Sequence, residues 1–169
     1  MLAVAFFVST IGFSAYVVIQ ANKDESSNTD QTTQDTTNQN NNQEADVLKG
    51  TKLQGFEPRT SQVEKLEIID LVEGDGTEVV AGDQVTVNYT GAFVKDGIIF
   101  ESSLDSGSPI TFGLEGLIQG WQDGIPGMKV GGTRRLVIPY SLAYGETGNS
   151  NIPAKSDLVF DIELIGITQ

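Results

Sequence analysis

A chain of 169 residues with no histidine and no cysteine has room for one ordinary domain and closes off whole classes of chemistry. Ser-His-Asp triads, cysteine nucleophiles, disulfides and the usual His/Cys zinc sites are excluded, so a reaction must run on carboxylates, hydroxyls, Lys/Arg, backbone groups or no proton transfer at all. A formal net charge of −13 repels phosphate backbones and argues against nucleic acid as a partner.

The chain opens on LAVAFFVSTIGFSAYVVI, residues 2–19, which carries no charge. Its length is that of the shortest helices able to cross a hydrocarbon core, roughly 17–25 residues. A secretory signal peptide would have a basic start and small side chains at its cleavage site; here no Lys or Arg precedes the run, and Phe13 or Ile19 stands where a small residue is wanted. Residues 1–20 therefore read as a transmembrane anchor, with a cleaved signal segment as the alternative. Residues 21–46 are rich in Asn, Gln, Thr and Asp and nearly devoid of apolar side chains. Such a tract cannot bury enough surface to offset the entropy of ordering, and it reads as a disordered tether. Together the two segments predict a domain held at a membrane on the extracytoplasmic side, or secreted if the first segment is cleaved. The absence of cysteine fits an oxidising compartment without deciding for one.

Residues 47–63 contain Leu53 and Phe56 but no sustained periodicity, and read as an extended arm on the domain edge. Residues 64–169 are strand-rich. EKLEIIDLVEGDG is a strand closed by a Gly-Asp-Gly turn. QVTVNYTGAFV alternates, with Val85, Val87 and Tyr89 on one face and Thr86, Asn88 and Thr90 on the other. KDG is a hairpin turn leading into IIFES, and SPITF is a short strand after a bend. RRLVIP and DLVFDIELIGI complete the set, the latter with Leu158, Phe160, Ile162 and Leu164 facing one way. The Arg134-Arg135 pair lies inside a strand and is no basic patch.

Between SPITF and RRLVIP lies GLIQGWQDGIPGMKVGG, with the only tryptophan of the chain. A short helix there would align Leu117 and Ile118 with Trp121, although the surrounding glycines each weaken a helix by about 0.5–1 kcal/mol. This is the one helical segment available to cover the sheet. The fold class is α+β, an antiparallel, half-open sheet with one covered face wrapped around one short α-helix.

Tyr89, Phe100, Phe112, Trp121, Tyr144 and Phe160 come from separate elements, and six large aromatic side chains, the one tryptophan among them, either overfill so small a core or line a cavity. The segments VNYTGAFVKDGIIFESS, LIQGWQDGIPGMKVGGTRRLVIP, LAYGETG and IPAKSDLVFDIELI, in this order and spacing, resemble the FKBP-type peptidyl-prolyl cis-trans isomerases, which bind tacrolimus and rapamycin. The resemblance runs from about Leu66 to Ile165. It implies an antiparallel sheet around a short helix, with the tryptophan at the base of a proline pocket.

On that resemblance, Tyr89, Phe100, Phe112 and Phe160 form the aromatic walls. Leu117 and Ile118 precede the tryptophan, and the Ile118 N–H holds the substrate carbonyl. Tyr144 donates from its hydroxyl, and Ile152 sits on an overhanging loop. Glu101 replaces the family's usual aspartate, and Ile110 a frequent phenylalanine; both bear on macrolide affinity. The implied catalytic set is Tyr89, Phe100, Glu101, Tyr144 and Phe160, with Phe112, Leu117, Ile118, Trp121, Ile152 and Ile110 in substrate binding. The resemblance implies proline-containing polypeptides as substrates, macrolide immunosuppressants as ligands, a monomer, and neither metal nor cofactor. A non-catalytic module that recognises Pro-containing segments is the alternative.

Overall fold

The computed structural model describes residues 47–168. The expected anchor and tether, residues 1–20 and 21–46, lie outside the described residues. Among those described, no helix is long and apolar enough to cross a membrane.

The described residues form six strands and one α-helix in the order β1 (Glu67–Val72), β2 (Gln84–Phe93), β3 (Ile99–Ser102), β4 (Ile110–Gly113), α1 (Gln119–Gly124), β5 (Thr133–Ile138) and β6 (Leu158–Thr168). The sheet order is β1-β5-β6-β2-β3, with every pairing antiparallel. β2 is the organising strand. One edge pairs with β6 along its whole length; the other is shared, β4 taking Gln84 to Val87 and β3 taking Thr90 to Ala92.

The period-two pattern puts Val85, Val87, Tyr89, Leu158, Phe160, Ile162 and Leu164 on the concave face, where each is buried against the helix. A register break between Thr86 and Val87 leaves Ile165 of β6 unpaired. That bulge shifts the parity, so Ile167 stands opposite Val85 and packs on the core while Ile165 is exposed.

At six residues, α1 is too short to stand on propensity. Its glycines belong to its packing. A Cβ on Gly124 would lie 2.7 Å from Leu136 Cδ2, and one on Gly120 would collide with Ile138. Only a bare backbone lets the helix seat on β5. Arg134 then ties the far end down: its Nη1 donates to the carbonyls of Gly124 (2.8 Å) and Pro126 (3.2 Å), and its other nitrogens hold the Asp70 carboxylate at 2.6 and 3.2 Å.

Two expectations are corrected. Leu117 and Ile118 do not share a helical face with Trp121. After a 3₁₀ turn at Leu114–Gly116 both are extended (φ −95°, ψ 170° and φ −60°, ψ 150°), and the helix starts only at Gln119. The three-and-four spacing was satisfied in sequence while the glycine-rich backbone took another path. Nor does the sheet have only one covered face. Ala92, Val94, Ile99, Val137 and Val159 form a second buried cluster on the convex side, closed by Leu53 and Val63.

Residues 47–63 make that cover. The N–H groups of Gly50 and Leu53 donate to the carbonyls of Ile99 (2.8 Å) and Gly97 (2.9 Å), extending the β3 edge. Arg135, which alternation places opposite to Arg134, grips Asp161 at 2.6 and 2.8 Å and donates to the carbonyls of Gly55 (2.6 Å) and Gln54 (3.0 Å). The Phe56 ring lies 5.5 Å from its guanidinium carbon. Both arginines of the adjacent pair are thus buried structural cations on opposite faces.

Candidate active site

On the concave side a cavity of about 260 Å³ is lined by Tyr89, Glu101, Phe112, Leu117, Ile118, Trp121, Tyr144 and Phe160. They come from seven places: β2, β3, β4, the extended run before α1 (Leu117 and Ile118 together), α1 itself, the loop after β5, and β6. The curvature of the sheet brings them together.

Trp121 is 4% exposed and forms the floor. Three rings meet it nearly edge-on: Phe160 at 5.3 Å and 88°, Tyr89 at 5.5 Å and 84°, and Phe112 at 6.1 Å and 87°. Such T-shaped pairs contribute about 0.5–1.5 kcal/mol each beyond area burial, so the walls are stiff. The indole Nε1–H is buried without an acceptor, at a desolvation cost of about 1–3 kcal/mol.

Gly91 of β2 explains how the rings fit. A Cβ there would sit 2.7 Å from both Phe100 Cζ and Phe160 Cε1. Opposite it on β3, Glu101 faces the two phenols. Burial, then the charge and proximity of the Glu101 carboxylate, push the Tyr89 hydroxyl well above its ordinary value, with the Tyr144 phenol adding to the effect. Burial and the same carboxylate raise Tyr144 as well. Both tyrosines therefore remain hydrogen-bond donors throughout the physiological range.

Two positioning features carried weaker sequence signals. Gln122 donates from Nε2 to the Leu117 carbonyl at 2.8 Å. The Ile118 carbonyl accepts from the N–H of Trp121 and Gln122, while the Ile118 N–H donates to no acceptor among the described residues. The peptide between Leu117 and Ile118 is thereby held on its oxygen side and left open on its donor side. Ser103, 2% exposed, accepts from the Tyr89 N–H at 2.9 Å, and Ser102 bonds Thr90 across the strands at 2.9 Å. The Ser-Ser pair after Glu101 was the available signal for this brace.

Three expected site residues lie outside the cavity lining. Phe100 stands behind the wall, edge-on to Phe160 at 5.7 Å and tilted on Phe93 at 5.1 Å. Ile152 is 3% exposed and packs in the main core. Ile110 is half-buried on β4, opposite Val87. Among the described residues no three His, Cys, Asp or Glu side chains are grouped as metal ligands.

Comparison with known proteins gives a consistent set of similarities. Residues 76–165 match the family model described as FKBP-type peptidyl-prolyl cis-trans isomerase. A probable FK506-binding protein of Corynebacterium glutamicum is 48% identical over 102 residues, covering 60% of this chain and 86% of that protein. The peptidyl-prolyl cis-trans isomerase FPR2 of Saccharomyces cerevisiae is 48% identical over 93 residues, 53% of this chain and 69% of that one. Among solved structures, FkpA from Escherichia coli superposes with a TM-score of 0.59 at 38% identity, covering 69% of this chain but only 53% of the FkpA chain. AtFKBP13 gives a TM-score of 0.56 at 39% identity, over 61% of this chain and 93% of that one.

Proposed function

The chain belongs to the FKBP-type peptidyl-prolyl cis-trans isomerase family and is an isomerase of that type; from this premise we propose that the X–Pro bond turns in the cavity floored by Trp121. The observation that carries the proposal is the lining itself: aromatic and aliphatic side chains with Glu101 as the single ionisable carboxylate.

Rotation about an amide costs ~18–20 kcal/mol because the planar form gains resonance, and X–Pro bonds exchange over tens to hundreds of seconds unaided. The twisted transition state loses C–N double-bond character and is less dipolar than the planar amide. An apolar cavity disfavours the planar form relative to the twisted one, and binding that favours the twisted form lowers the barrier. The proline ring rests on Trp121 between Tyr89, Phe112 and Phe160. The open Ile118 N–H and the Tyr144 hydroxyl orient the flanking carbonyls. Glu101 acts through Tyr89, its charge keeping the phenol protonated. No proton leaves the substrate, which suits a chain without histidine.

The substrates are proline-containing polypeptides. The uncharged run at residues 2–19 and the polar tract after it support an anchored domain acting on newly exported chains, for which slow prolyl isomerisation limits folding. FK506 is proposed as a ligand of the same cavity, on the name of the relative from C. glutamicum.

Tyr144→Phe is the first test. The side chain is 37% exposed, so the fold tolerates the change. Catalysed isomerisation of an X–Pro peptide should fall about three- to tenfold in kcat/KM, the worth of one hydrogen bond of about 1 kcal/mol. An unchanged rate would remove Tyr144 from the site.

A further inference from the structure

A second cavity, of about 230 Å³, opens between the arm, the turn joining β2 to β3, and the loop before β6. Its charged lining is Arg59, Lys95, Lys155 and Asp157. Three of the ten Lys and Arg residues in a chain of net charge −13 thus converge on one hollow. The Asp157 carboxylate is already occupied, one oxygen accepting from the Val63 N–H and the other from the Tyr140 N–H, each at 2.8 Å. The cations are only partly matched. Arg59 meets Glu67 through Nη2 at 2.7 Å, but its Nε–H is buried without a partner. Lys95 stands 4.0 Å from Asp96 and over the Phe93 ring, and Lys155 meets Glu146 on the exposed side.

A row of contacting rings links the hollow to the first cavity. Phe93 lines it and packs on Phe100 at 5.1 Å, and Phe100 packs on Phe160 at 5.7 Å. A path of two ring spacings corresponds to about three or four residues of extended chain.

We propose that this hollow is a subsite for an acidic side chain of the polypeptide substrate, a few residues from the isomerising proline. A Glu or Asp carboxylate there lies in the combined field of Arg59, Lys95 and Lys155. The net charge of −13 disfavours such a segment elsewhere on the chain, so the hollow selects register as well as charge. The proposal rests on the first cavity being where the proline binds.

The test uses the full chain and X–Pro peptides carrying Glu, or Gln as its neutral match, at each of the four positions on either side of the X–Pro pair. At one or two positions Glu should raise kcat/KM over Gln by about three- to tenfold, through KM, with the preference fading at about 0.5 M salt. Arg59→Gln should abolish the preference while leaving turnover of the all-neutral peptide unchanged. Lys95→Gln, at an exposed position with no burden on folding, should reduce it in the same direction. Equal rates for Glu and Gln at every position, or a preference that survives Arg59→Gln, would overturn the proposal. Turnover of the neutral peptide that is indifferent to Tyr144→Phe would instead strike the assignment of the first cavity.

Discussion

Tyr89 and Tyr144 are the side chains on which the site's pH behaviour turns. Both phenols sit above their ordinary value of 10.0, first through burial and then through the Glu101 charge. An acid whose folded value exceeds its unfolded one favours the folded state fully below the unfolded value. That contribution is lost as pH rises through the folded value. Catalysis should therefore be flat from about pH 7 to 10, the donors remaining protonated throughout. Above pH 10 urea unfolding midpoints should fall, and Tyr89→Phe should blunt the fall. A loss of kcat/KM centred between pH 7 and 9 would mean that some other titrating group governs the rate.

Among the elements, α1 shows propensity and packing in opposition. Gly120→Ala improves intrinsic helix propensity by up to about 1 kcal/mol. It also drives a methyl group into Ile138. The overpacking term should win, with a net destabilisation of about 1–3 kcal/mol by urea denaturation; a stabilised variant would contradict the close seating of α1 on β5. The strands were legible because alternation is a local signal: Val85, Val87 and Tyr89 declare their face without help from the rest of the chain. The same alternation put Tyr89 and Phe160 on the covered face, whereas Trp121, on α1, and the site roles of all four lining rings Tyr89, Phe112, Trp121 and Phe160 rested on the family resemblance. The path of Leu117 and Ile118 was not legible, because it depends on a 3₁₀ turn and on the Gln122 side chain rather than on periodicity. Phe100 behind the wall, and Ile152 in the core, differ from Phe112 only in how the sheet curves, which no spacing encodes.

For the molecule as a whole, the sequence marked residues 47–63 as an extended arm on the domain edge but not what holds the arm there. Its hold consists mainly of backbone groups: the Leu48 and Lys49 N–H on Asp105, those of Gly50 and Leu53 on the β3 edge, and the Gln54 and Gly55 carbonyls on Arg135. Backbone contacts leave no compositional trace. The arm covers the convex cluster beside β3, the strand that carries Phe100 and Glu101. Arg135→Ala should therefore cost about 2–3 kcal/mol, since it strands Asp161 and frees two carbonyls. It should also abolish hydrogen-exchange protection at Gly50 and Leu53 before that of β2 and β6. Protection lost uniformly would show that the arm is not a separable unit.

One measurement bears directly on the location of catalysis. Trp121 is the only tryptophan in the chain, so its emission reports on the cavity floor without ambiguity. Titration with an X–Pro peptide should change the Trp121 fluorescence and saturate with a Kd matching the KM of catalysed isomerisation, and Phe112→Ala should weaken both together. Catalysed turnover that saturates while Trp121 emission stays unchanged would place the reaction elsewhere on the molecule.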